Sequence, residues 1–415
     1  MALDAQSNWD VEMSQPIRIP IRSADVGAQN KHVLALSLPP SQNAKPSREI
    51  PLPPEIITHI LEYLPRHAST QGTLWACTLV SRLWYTSSIA LLYERPYLTG
   101  AGFNAFVQTI CPSKNAHIRL SSLSILVKHL DMSALVHNSS RSLTARLLGR
   151  LKGHLEYFIA PQASFGISSF AALSKCTRLR TLNLSLISAS IPNKLLFQTL
   201  KSLTDLEVLF FPRSSGSDPA TIQEVYVWPP RMKALHLAGG IDDKFMVDQL
   251  SNVPECLEKL SIQHCTQVHA HALLTALENI GLRLHELTIR YPMPRLDSGQ
   301  LDTLLMICPN LIALRVFAEY VTNDLLSFVT KHPLRILDVE STPSYLAENA
   351  LRPETLYLAV EDDRLPDLRS VRVSTRLGWR ETPTARQDVL DLEEAMNDHE
   401  SENPLGLWTG VWQGD

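Results

Sequence analysis

The sequence predicts an α/β chain, with a small block of three helices leading into a solenoid in which strands and helices alternate. Three observations predict it. A unit of the form apolar-x-x-apolar-x-apolar recurs from about residue 118, with strong copies starting at Leu179, Leu206, Met232, Leu257, Leu284, Leu311 and Leu334. The steps between these copies are 27, 26, 25, 27, 27 and 23 residues, inside the 20–29 range of leucine-rich repeats, where each unit is a strand plus a helix. Ahead of the repeats, Leu52 to Leu98 places its apolar residues at helical rather than alternating spacing. A doubly wound sheet would also alternate strands and helices, but it would need long, continuously apolar strands and a glycine-rich phosphate loop, and the sequence contains neither.

Residues 1–48 read as a disordered leader: Pro, Ser, Gln and Asn are frequent and few apolar side chains offset the entropy of ordering. Pro16 to Ile21 alternates and is the one stretch there that could pair as a strand or bind a partner. In the helical block, Pro53 and Pro54 suit a first turn that needs no N–H groups, and Glu55 favours the positive end of the helix. Ile56, Ile57, Ile60, Leu61 and Leu64 then form a stripe that Pro65 ends. A second helix is expected over Leu74, Cys77, Leu79 and Val80, after a loop from His67 to Thr73. Ser81 is a candidate cap for a third, carrying Leu83, Trp84, Leu91 and Leu92. Three helices in 47 residues bury too little surface to stand firmly alone.

The segments Leu52-Pro53-Pro54-Glu55-Ile56-Ile57, Ile60-Leu61-x-x-Leu64-Pro65 and Leu79-Val80-Ser81-Arg82-x-Trp84 resemble an F-box, and Leu92 to Leu98 is similar to the extension of fungal members. The long first loop departs from that pattern. The resemblance implies the substrate-receptor role of F-box proteins in SCF-type ubiquitin ligases. In that role the helices dock on a Skp-type adaptor and through it on a cullin. A cullin-independent scaffold is the alternative. The residues it marks for the adaptor are Leu52, Pro53, Ile56, Ile57, Ile60, Leu61, Val80, Trp84 and Leu91, some of which must serve as internal core. Domain limits are expected at 49–112 for the F-box and a helical extension bearing Phe103, Phe106, Val107 and Ile110, and at 113–376 for the repeats.

Weaker repeat copies lie at Leu120-x-x-Leu123-x-Ile125, Leu155-x-x-Phe158 and around Leu356-x-Leu358, with a last strong copy at Leu368. Steps of 19 and 15 residues around Pro353 leave no room for helices, so turns or extended segments are expected there. Beyond Arg376 the chain is an acidic tail, with Val389, Leu392 and Met396 on one helical side. Leu405, Leu407, Trp408, Val411 and Trp412 then form an apolar patch that either caps the last strand or docks on a partner.

In a strand written L-x-x-L-x-L the leucines face the core and the intervening residues face outward. On a concave sheet those outward positions include Phe210, His236, Lys259, Arg290, Arg315, Phe317, Asp338, Glu340, Tyr357 and Arg372. Lys259, Arg290 and Arg315, from three consecutive strands, are expected to stack as a cationic stripe for an acidic or phosphorylated peptide of a protein substrate.

Other classes fit poorly. The net charge is −4, against a nucleic-acid partner. No run approaches 18 apolar residues and the first residues are acidic and polar, so neither a membrane span nor a secretory signal is expected. Six scattered cysteines read as reduced intracellular thiols, which places the chain in cytoplasm or nucleus. His264, Cys265, His269 and His271 bring metal donors close together, but Cys265 falls on the inward turn position of its repeat and the two later histidines are on opposing helix faces. No metal and no cofactor are expected. No phosphate loop, G-x-S-x-G elbow or H-E-x-x-H motif is present, so no active site is expected.

Overall fold

In the computed structural model the described residues are 52–65, 67–113, 121–135, 140–216, 225–344 and 350–414. The leader with Pro16 to Ile21, and Leu120, lie outside them. Helix α1, Pro54–Glu62, starts with Pro54 at its first position behind an extended Pro53. Helix α2, Ala68–Thr78, begins directly after an extended His67. The long loop expected over His67 to Thr73 is therefore replaced by helix, because Ser69 and Thr70 turn their hydroxyls to the His67 ring (2.7 and 3.5 Å) and form a first turn. The helix stops at Thr78, so Leu79 and Val80 lie in the turn between α2 and the next helix. Ser81 accepts a hydrogen bond from the Trp84 N–H (3.3 Å) and starts α3, Arg82–Glu94.

These helices share a core of Ile57, Leu61, Leu74, Leu91 and Leu92. Helix α4, Gly100–Ile110, belongs elsewhere: Phe103, Phe106 and Ile110 are buried in the main core with Val127 and Leu130. Tyr93 packs against both cores and stacks on Phe106 at 6.4 Å, which ties the helical block to the main core.

Among the described residues eleven strands form one sheet whose order is the order of the chain. They are β1 His129–Asp131, β2 Tyr157–Ile159, β3 Thr181–Asn183, β4 Val208–Phe210, β5 Ala234–Leu237 and β6 Lys259–Gln263. The sheet continues as β7 Glu286–Arg290, β8 Ala313–Phe317, β9 Ile336–Glu340, β10 Ser370–Val373 and β11 Gly410–Gln413. All neighbours pair in parallel, and the register sets Leu182, Leu209, Leu235, Leu260, Leu287, Leu314 and Leu337 side by side, followed by Val371 and Val411. This ladder is buried throughout.

Helices connect most strands: α5 Arg141–Leu151, α6 Ile167–Leu173, α7 Asn193–Leu200, α8 Asp243–Leu250, α9 Ala270–Ile280 and α10 Leu304–Ile307. Between β8 and β9 the connection shrinks to a 3₁₀ turn, Asn323–Leu326. Residues 122–126 likewise form a 3₁₀ turn, not the strand that Leu123-x-Ile125 imitates.

One element differs from expectation near the end. Pro353–Glu361 is helix α11, started by Pro353 at its first position, because β9 to β10 is one long unit and the apparent copy at Leu356-x-Leu358 is no strand. Helix α12, Pro383–Glu402, packs on α11 and buries Val389, Leu392 and Met396. The fully buried Arg369 holds it. Its guanidinium donates to Glu400 Oε2 (2.7 Å) and to the carbonyls of Pro366, Leu368, His399 and Asn403 at 2.8–3.1 Å. Glu400 also accepts the N–H groups of Leu405 and Gly406, which steers the chain back to β11. On that last strand, Val411 N–H donates to Glu393 Oε1 (3.1 Å) and its carbonyl accepts from Arg380 Nη2 (3.3 Å).

Candidate functional site

Two surfaces carry features that the core does not require. The first is on α1–α3. Period 3.6 turns adjacent isoleucines through about 100°, so Ile57 and Leu61 point into the small core while Ile56 and Ile60 point out. Leu52, Pro53 and Val80 are exposed as well, and Val80 is 65% exposed. Of the residues expected to meet an adaptor, Ile57, Leu61 and Leu91 are therefore corrected to core, and Trp84 is half-buried against it. The sequence reading missed Tyr63, Trp75 and Leu79, which are 74, 59 and 67% exposed. The signal was there: Tyr63 continues the Ile56, Ile60 side of α1, and Leu79 sits at a helix end with nothing behind it. So broad an apolar surface on so small a core is the candidate interaction surface.

The second surface is the outward face of the sheet. One rung crosses it from β3 to β11 as Asn183, Phe210, His236, Ser261, Thr288, Arg315, Asp338, Arg372 and Trp412. Phe210 and His236 stack ring on ring at 4.0 Å and 5°. Phe317 stacks with Tyr291 at 6.0 Å.

The expected cationic stripe is corrected on two counts. Register places Lys259 opposite Glu286, Arg315 opposite Thr288 and Arg290 opposite Gln263, so the three cations occupy three different rungs. Each also has an acidic partner. Lys259 pairs with Glu286. Arg290 grips Glu340 through Nε and Nη2 at 3.0–3.3 Å. Arg315 Nε donates to Asp338 Oδ2 at 2.7 Å and lies 3.7 Å from Glu340. Tyr357 is corrected too: it lies on α11, away from the strands, where chiefly the Glu361 carboxylate, with Asp391 and Glu394, holds its phenol above the usual value.

Cys265 is buried, donates to the Gln263 carbonyl (3.3 Å), and burial pushes its thiol up to about 11. His269 Nδ1 lies 2.6 Å from Asp243, and its Nε2 lies 3.1 Å from Arg295 Nη1. Among the described residues no three His, Cys, Asp or Glu side chains converge as a metal ion would require. Nor is any described helix long and apolar enough to cross a membrane.

Residues 51–99 match the F-box-like family model. F-box protein YDR306C of Saccharomyces cerevisiae is 33% identical over 341 residues, covering 80% of this chain and 68% of the relative. Protein pof5 of Schizosaccharomyces pombe is 29% identical over 354 residues, covering 84% and 97%. Among solved structures, a TLR13–ssRNA13 complex aligns at TM-score 0.37 and 17% identity, over 60% of this chain and 33% of the other. The yeast Rad7–Elc1 complex aligns at 0.32 and 12%, over 75% and 94%. Both likenesses are too loose for any reading to rest on them.

Proposed function

The chain belongs to the F-box proteins, and from that premise we propose that it is a substrate receptor of an SCF-type ubiquitin ligase, an adaptor rather than an enzyme. Helices α1–α3 take a Skp-type subunit, and through it a cullin, on the face formed by Leu52, Pro53, Ile56, Ile60 and Val80. The strands and helices beyond are a leucine-rich-repeat solenoid with a period of about 26 residues, whose outward sheet face holds a protein substrate in cytoplasm or nucleus. Phe210, His236, Arg315, Phe317 and Arg372 are its candidate contacts. One observation carries the reading: five buried apolar side chains support a larger set of exposed ones. An uncovered face of that kind loses less by binding than by staying wet.

Affinity capture of the full-length protein tests it. Wild type should retain a Skp-type subunit and a cullin. Leu52→Ala with Pro53→Ala should lose both while its thermal unfolding is unchanged, since both side chains are exposed. Retention by the double variant counts against the face. A Skp-type subunit without any cullin favours the scaffold alternative.

A further inference from the structure

The outward sheet face is nearly balanced in charge. From β6 to β10 it carries four cations, Lys259, Arg290, Arg315 and Arg372, and three anions, Glu286, Asp338 and Glu340, a net charge of +1. Most of these groups are spent on each other. Arg290 places Nε and Nη2 on Glu340, and Lys259 is taken by Glu286.

Arg315 differs. Only its Nε is engaged, by Asp338, whose side chain is 7% exposed. Among the described residues its two terminal amino groups make no hydrogen bond, and neither is sealed from solvent. A guanidinium fixed at Nε by a buried carboxylate, with both Nη atoms free, is a pre-oriented fork of the kind that takes a carboxylate or phosphate in two parallel hydrogen bonds. Apolar ground flanks it on the same face: Phe317 with the stacked Tyr291 on one side, and Ala313 beside the exposed Ile336 on the other.

Charge complementarity separates the two anions. A single carboxylate brings the face to zero. A phosphate near −2 would leave it negative, with Asp338 and Glu340 already within 4 Å of Arg315. The rung also continues past Arg315 on both sides, which suits a group carried mid-chain.

Resting on the receptor reading above, the geometry points to Arg315 as the specificity contact for an extended substrate segment that carries an unphosphorylated Asp or Glu next to an apolar residue. The carboxylate takes the Arg315 fork, and the apolar neighbour rests on Phe317 and Tyr291 or on Ile336.

Degenerate peptide pools test this against the full-length protein by fluorescence anisotropy. Four pools are amidated and fix one central residue as Glu, Gln, phosphoserine or Arg. A fifth has no fixed acid and a free C-terminus. The Glu pool should bind about tenfold more tightly than the Gln pool, the worth of one charge-assisted pair. Arg315→Lys keeps the charge but loses the fork, and should reduce that preference to about twofold or less. Arg315→Gln with Asp338→Asn removes the pair together, so no buried charge is stranded, and should abolish the preference while unfolding at a similar temperature. Equal binding of Glu and Gln pools overturns the proposal. So does a lead for the phosphoserine or free-carboxylate pool, a preference that survives Arg315→Lys, or binding by none of the pools. Skp-type capture on the same preparations keeps the readings apart: peptide binding blind to charge with capture intact sinks this proposal and spares the receptor reading.

Discussion

The F-box helices and the sheet solve the same problem in opposite ways. In the sheet each leucine of the buried ladder has a buried apolar neighbour on the strands either side, so the apolar surface is closed by the sheet's own register. In the helical block Ile57 and Leu61 are covered, whereas Ile56 and Ile60, one step along the same helix, are not. The sheet and the helices packed on it share one continuous buried core. The F-box helices meet α4 through Tyr93, which packs on both cores, and leave an apolar face exposed. Burial and exposure thus divide the same residue types, and position in the helical turn decides between them.

The hardest test of that contrast pairs Leu287→Ala with Ile56→Ala. The first empties a site that is 1% exposed and should cost about 2–5 kcal/mol in chemical denaturation, with adaptor capture retained in whatever remains folded. The second should shift stability by less than about 0.5 kcal/mol yet weaken capture strongly. Equal effects on stability would erase the distinction.

Gly240 probes how tightly the loops at the sheet's rim are packed. Its φ is +66°, and a Cβ there would come within 2.5 Å of the Arg213 carbonyl oxygen. Gly240→Ala should cost about 1–3 kcal/mol, read as a lower thermal midpoint, without touching capture.

A smaller effect comes from pH. Burial holds His332 below the usual imidazole value; its Nε2 lies 3.0 Å from the Cys308 carbonyl oxygen, and its buried Nδ1 has no partner among the described residues. The folded protein therefore prefers the neutral ring. Stability from this group is full above the unfolded value of about 6.5 and declines as pH falls from there toward the folded value. The thermal midpoint should drop on going from neutral to mildly acid buffer, and His332→Gln should flatten that slope. Least of all, Lys331→Ala removes a pair with Asp363 in which both side chains are about two-thirds exposed, and should change stability by at most about 1 kcal/mol.

The parallel strand ladder was legible because most strands carry the same inward apolar spacing, and spacing is independent of loop conformation. Copies without the helix-length gap misled: Leu356-x-Leu358 has the strand alternation but sits inside α11, where Pro353 starts a helix, and Tyr357 went astray with it. The cationic stripe failed for a different reason. Which outward residues meet depends on inter-strand register, and the partners of Arg290 and Arg315 lie on β9, far along the chain. Ile57 and Leu91 could not be told from Ile56 in the sequence, since the side that faces α3 is settled only by how three helices pack.

At the far end of the molecule the ladder has to stop. Parallel strands stacked in this way have no intrinsic length, and a terminal rung would normally offer bare amides to any passing copy. Here Glu393 and Arg380 occupy the N–H and the carbonyl of Val411, a full stop written in side chains. A second copy approaching that edge finds the Val411 N–H and carbonyl already taken, which leaves less bare backbone to pair with.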